Sequence, residues 1–340
     1  MKKLLTLVSA LFAGSIGTAA AEVSVSGASN FFYGSGSGTG NVAGEEDSIF
    51  VVGGSVAFAM STETANGVTV SGSASLSADT DDIATAATAT AVGGMSQITF
   101  GMDGMTITVG DINNAGSGTG EGGDVSSFAS TVAGQFDTDP AASADGGLVD
   151  GIADGTGFNV STSIGDASVD ATWVQTQGSG RNSYSGGVST TTGNTNGYAI
   201  NVGMDVAGAS VNVALGGNDE MTSGTDDDSA VGVEVSYDVT DAMTLTFGGT
   251  SGNTGASDKD NQFASIAYTV DADTTLSMGF ATADDTTASV TDKQTVTSVN
   301  LSRSLGGGVS VFAEYAAVDS DNAGVNTDGS AVAVGTTVSF

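Results

Sequence analysis

Acidic side chains are the one kind of reactive group that this sequence supplies in quantity. It holds 39 Asp and Glu against six Lys and Arg, with neither His nor Cys. Without His the commonest general base and metal ligand is missing, so a Ser-His-Asp or Cys-His hydrolase is excluded. Without Cys there is neither a disulfide nor a thiolate metal site. Paired carboxylates are able to move protons, but 39 of them in no distinguishing context single out no pair. One grouping does stand apart. The stretch Asp111–Gly155, about 45 residues, carries Asp111, Glu121, Asp124, Asp137, Asp139, Asp145, Asp150 and Asp154 with no Lys or Arg, and holds the only proline, Pro140. Neither a sustained alternation nor a helical stripe runs through it, and irregular stretches of this length are usually functional or disordered. Its chemistry is electrostatic: it attracts cations and repels nucleic acid.

The N-terminus reads as an address. Met1–Lys3 is basic, Leu4–Ala13 is apolar, and Ala19-Ala20-Ala21 offers small residues for cleavage before Glu22. This is the pattern of a secretory signal peptide over 1–21, and its apolar run is well below the roughly 20 residues that span a bilayer. Cleavage leaves Arg181, Lys259, Lys293 and Arg303 as the only cations against 39 acidic residues, a formal charge of −35.

The elements that must hold the acidic stretch are short segments of period-2 alternation, five before it and eleven after it. The first is Val23–Tyr33; Met95–Gly101 and Met105–Gly110 form a hairpin across Asp103-Gly104, a dipeptide that favours tight turns. Later segments include Gln262–Val270, Thr274–Thr282, Thr295–Ser304, Gly308–Val318 and Ser330–Phe340. Short links alternate with long polar ones, namely Gly178–Asn196, Asn218–Ser229, Ser251–Asn261, Ala283–Gln294 and Asp319–Gly329. Each segment has a thin apolar face backed by Ser, Thr, Gly, Asn and Ala, whereas a sandwich would need large residues facing a partner sheet. The pattern predicts an all-β fold: a sixteen-stranded antiparallel transmembrane β-barrel over 22–340, with lipid outside and water inside. An even strand number puts both termini at the short-turn end. On the face opposite the apolar residues the wall charges are Asp170, Asp205, Glu234, Asp238 and Glu314, all negative, with Glu234 and Glu314 in mid-strand. Arg303 shares parity with Val299 and Leu301 and so points outward near the short-turn rim. The Asp-rich stretches Asp79–Asp82, Asp219–Asp228 and Asp319–Asp328 suit loose Ca²⁺ or Mg²⁺ binding through oxygen ligands, but no spacing defines a metal site.

The chain ends AVAVGTTVSF, with Val332, Val334, Val338 and Phe340 on one face and Phe340 last. With the leader, sixteen segments and a long third external loop, this resembles the Gram-negative general porins, particularly those of alpha-proteobacteria. The resemblance covers Glu22–Phe340 and is architectural. It implies a homotrimer in the outer membrane, surrounded by lipid and lipopolysaccharide, with the third loop 111–155 folded into each pore as the constriction. Glu121, Asp124, Asp137, Asp139, Asp145 and Asp150 would then sit at the narrowest point, and Asp170, Glu234 and Glu314 on the wall. The resemblance further implies that Phe340 is the signal read by the barrel-assembly machinery. Such proteins usually set wall arginines and lysines against the acidic loop; here no cation lies between Lys3 and Arg181, so no such arginine carries over. The expected activity is non-enzymatic: passive diffusion of small hydrophilic solutes with a preference for cations, and no cofactor. The alternative is a secreted acidic Ca²⁺-binding adhesin or surface-layer protein, which would need a fixed repeat period that the sequence lacks.

Overall fold

A strand whose side chains alternate apolar and polar has two unlike faces, and closing such strands on themselves satisfies every sheet edge. That is the arrangement in the computed structural model, which describes residues 22–38, 48–80, 91–93, 97–112, 119, 155–177, 194–220, 228–254, 257–287, 290–322 and 324–340. The strands are β1 (Glu22–Gly38), β2 (Ser48–Glu63), β3 (Thr69–Thr80), β4 (Ala91–Gly93), β5 (Gln97–Met102), β6 (Met105–Ile112), β7 (Gly155–Ile164), β8 (Ala167–Gln177) and β9 (Asn194–Val206). They continue as β10 (Ala209–Glu220), β11 (Ser229–Thr240), β12 (Met243–Thr254), β13 (Ser257–Asp271), β14 (Thr274–Thr287), β15 (Val290–Gly306), β16 (Val309–Asn322) and β17 (Val325–Ser339). Apart from β4 and β5, each pairs antiparallel with its neighbours in sequence, and β1 pairs with both β2 and β17. The short β4 and β5 both pair with β3 and together occupy one position in the wall. The fold is thus a closed, sixteen-stranded antiparallel β-barrel.

The two faces separate as the alternation predicts. Phe31, Tyr33, Phe50, Val52, Phe158, Trp173, Tyr198, Leu215, Phe247, Met278, Phe280, Leu301, Tyr315, Val332 and Val334 all lie exposed on the outside. Their neighbours in sequence, such as Ala199, Ala214, Ala281, Ala316 and Ala333, are buried on the inside. An outer surface of this kind is stable only in contact with lipid.

The strands differ from the expected segments chiefly at the loop end. The segment expected over Gln262–Val270 is Ser257–Asp271, and that over Thr295–Ser304 is Val290–Gly306. The stretches Ser251–Asn261, Ala283–Gln294 and Asp319–Gly329 are mostly ladder rather than loop, with paired residues running to Thr254↔Ser257, Thr287↔Val290 and Asn322↔Val325. Alternation of apolar and polar residues marks only the part of a strand that faces lipid. Beyond it both faces meet water, the pattern fades, and the ladder continues with Asp, Thr, Ser and Lys. The short turns match expectation more closely. Ala207 (φ 53°) and Gly208 (φ 86°) make a two-residue turn with positive φ at both positions, the geometry that suits the twist of a hairpin.

The last residue extends the seam that closes the barrel. Beyond the eleven paired positions of β1 and β17, the Phe340 N–H donates to the Gly27 carbonyl (2.9 Å) and the Gly27 N–H donates to the Phe340 carbonyl (2.7 Å). The Phe340 ring lies over Gly27 on the outer face, where a Cβ would collide with it. Gly27→Leu should therefore displace the ring and loosen the seam without removing any hydrogen-bonding group. The expected result is a clear loss of the heat-modifiable, folded band on unboiled gels relative to a Gly53→Ala control in β2. Equal amounts of folded protein in both would show that the ring–glycine contact is dispensable.

Candidate functional site

Sixteen strands enclose an interior, and the register fixes which side chains face it. The exposed apolar residues define the outside, and the opposite parity places Asp170, Asp205, Glu234, Asp238 and Glu314 inside. The five are not equivalent. Asp170 is tied to its neighbours: Asn159 Nδ2 and Ser161 Oγ donate to its two oxygens, and Asn159 Nδ2 also reaches Thr172 Oγ1 at 2.8 Å. Glu314 is 3% exposed and accepts from Asn300 Nδ2 at 3.0 Å. Glu234 stands between Asn212 and Gly248 in the register, half-buried. Asp205 and Asp238 are exposed near the short-turn end, where Asp238 accepts from Thr244 Oγ1 at 2.6 Å. Donors from Asn159, Ser161 and Asn300 hold the Asp170 and Glu314 carboxyl groups at fixed places in the wall.

Two further inward acids, Asp285 and Asp292, are paired in the register of β14 and β15. They lie in the extension that the alternation did not mark as strand. Three of the four cations that follow the leader are described, and each meets an aspartate. Lys259 pairs with Asp285 (3.6 Å), Lys293 with Asp284 (2.9 Å) and Arg303 with Asp271 (3.3 Å). Arg303 is on the outside beside a short turn, where its Nη1 also donates to Thr274 Oγ1 at 2.7 Å. Lys293 is outside as well, and only Lys259 faces inward among the described residues.

The inner face is less uniformly polar than expected. Phe32 and Phe312, with ring centroids 6.3 Å apart, face inward on either side of Gly335. Phe263 packs with Ala281 and Val296, its ring held where a Cβ of Gly248 would be. Ile112, Val174 and Ala199 form a third patch. Glycine partners are what make room for these rings. The glycines adjacent in register, Gly335 and Gly248, were the available signal, but it needs the pairing to be known.

A buried row crosses the wall near the loop end. In register across β11 to β16 stand Gly232, Thr250, Asn261, Ala283, Gln294 and Ser320. All are buried although they face the interior. The hydroxyls of Thr250 and Ser320 have no hydrogen-bond partner among the described residues. Such a row needs a covering chain. At its β11 end the cover is Thr119, itself 4% exposed, whose carbonyl oxygen takes the place of a Cβ on Gly232. Thr119 belongs to the acidic stretch. The carboxylates Glu121, Asp124, Asp137, Asp139, Asp145 and Asp150 lie outside the described residues, as do Arg181 and 1–21. Among the described residues no group of three acidic side chains is placed to hold a metal ion.

Comparison with known proteins agrees with this geometry. A family model described as Gram-negative porin matches residues 6–323. A mutant of the Rhodopseudomonas blastica porin is similar at 19% identity, with 94% of this chain and 100% of that one covered and a TM-score of 0.63. A loop-deletion mutant of OmpT, an outer membrane protein of Vibrio cholerae, is similar at 13% identity over the same shares, with a TM-score of 0.66. No similar sequence was found among curated proteins. An apolar outside, a charged inside and a family match running through all but the last barrel strand converge: this chain belongs to the Gram-negative porins, the outer-membrane β-barrels of passive diffusion.

Proposed function

We propose that the chain forms a water-filled channel for small hydrophilic solutes that favours cations, narrowed by the segment 111–155. Thr119 carries this proposal. A residue eight positions into the acidic stretch is buried against the inner face of β11, several strands round the barrel from the strands that flank the stretch. The burial of the rest of the row, Thr250 to Ser320, on an inward-facing surface also supports this reading. The cation preference is supported by the inward acids, which outnumber the one inward cation. The fixed charges raise the local concentration of counter-ions, an effect that grows as screening weakens. Residues 1–21 act as the signal peptide that sends the chain out of the cytoplasm. In the outer membrane three copies associate, with lipid and lipopolysaccharide around the trimer, and Phe340 is the feature read by the barrel-assembly machinery. The exposed terminal ring on Gly27 supports that last role.

Two variants separate bulk from charge. Replacing Glu121–Asp150 with a short Gly/Ser link touches no described strand and should leave the barrel assembled. Single-channel conductance should rise, and liposome swelling should admit larger neutral sugars. Changing Glu121, Asp124, Asp137, Asp139, Asp145 and Asp150 to Asn or Gln keeps the bulk, so the size limit should hold while cation preference falls. An unchanged sugar cutoff after the deletion would place the segment outside the pore.

A milder test addresses the contact itself. Gly232→Val should push Thr119 off the wall, because the added carbons occupy the place of its carbonyl. The expected outcome is a conductance that fluctuates or rises above that of Ala214→Val, a control on the inner face of the neighbouring strand. Identical single-channel traces from the two variants would mean that Thr119 does not hold the segment.

A further inference from the structure

We infer that Lys259 and Asp285 form a charge pair that sets the ion preference of the loop-side mouth; this rests on the channel proposed above. Lys259 is the third residue of β13, and register places it between Gly252 on β12 and Asp285 on β14, with Asp292 of β15 beyond. All face inward, and Gly252 offers no side chain to cover the ammonium. The Lys259 and Asp285 side chains are 26% and 24% exposed, with Nζ 3.6 Å from Oδ2. The charges thus reach pore water while being only partly hydrated, a setting in which salt screens them less than on an open surface.

The consequence is a local balance. Asp285 and Asp292 together would make this side of the mouth strongly attractive to cations, and Lys259 offsets one of the two charges. Removing the lysine unmasks the acid; removing the acid unmasks the lysine. A second ion pair provides the control. One residue before Asp285, Asp284 points outward and binds Lys293 at 2.9 Å, at the same height but on the other side of the wall. Both lysines contribute equally to net charge, and only one faces the pore.

The test is the reversal potential of single channels in a KCl gradient at low salt, on full-length protein whose folding is first checked by heat-modifiable migration. Lys259→Met should increase the K⁺/Cl⁻ permeability ratio by about twofold at ~0.1 M salt, where the screening length is about 10 Å. Asp285→Asn should lower the ratio, and the double variant should return near the starting value. Lys293→Met should change nothing. Equal shifts in Lys259→Met and Lys293→Met would assign the effect to net charge and overturn the proposal. So would no shift in either of the inward variants while the channel still conducts, leaving the pair as a clip between β13 and β14. A wild-type protein that folds but never conducts would instead remove the channel itself, and the pair's role with it.

Discussion

Everything in this protein depends on the requirement that no backbone N–H or C=O remain unpaired in hydrocarbon, where each costs several kcal/mol. An open sheet of sixteen strands would leave two edges in the membrane. The chain solves this by bringing its last strand against its first, so that β1 is bonded on both sides. The Gly27–Phe340 pair completes the ladder at the terminal residue itself. The same closure creates the interior, so the pore is a by-product of satisfying the sheet edges.

Given a closed wall, side-chain size decides how the inside is filled. Alternation puts one residue in two inside, and most of these are small. Where a ring turns inward, a glycine on the adjacent strand receives it: Gly335 between Phe32 and Phe312, and Gly248 beside Phe263. On the outside Tyr198 lies over Gly217 in the same way. At Gly232 the occupant is a backbone carbonyl from the acidic stretch rather than a ring. A polar row that is buried while facing a pore is otherwise unfavourable, since an unsatisfied hydroxyl costs roughly 1–3 kcal/mol.

The fold was largely legible in the sequence, because lipid imposes a strict period of two. Phe50, Val52 and Met60, or Leu276, Met278 and Phe280, declare their face without further information. Three features were less accessible. The loop-side extensions of β13 to β17 face water on both sides, so Asp258, Lys259 and Asp260 read as loop. The short β4 begins where an Ala/Thr-rich tract, Ala84–Ala91, ends, with no alternation to mark it. Inward Phe32 was hidden by Phe31, since two adjacent rings declare both faces at once. The wall acids Asp170, Glu234 and Glu314 were found by parity alone; the donors Asn159, Ser161 and Asn300 that hold two of them could be identified only from the register. Lys259 was missed as an inward cation for the same reason as its strand extension.

A closed barrel lined by acidic side chains should pass cations in preference to anions. The decisive measurement is made on the wild-type protein, reconstituted in a planar bilayer under a KCl gradient. At low salt the reversal potential should have the sign of K⁺ permeation, and it should shrink toward zero as salt rises to ~1 M, where the screening length falls to about 3 Å. A chloride-selective or strictly unselective channel at low salt would contradict the account.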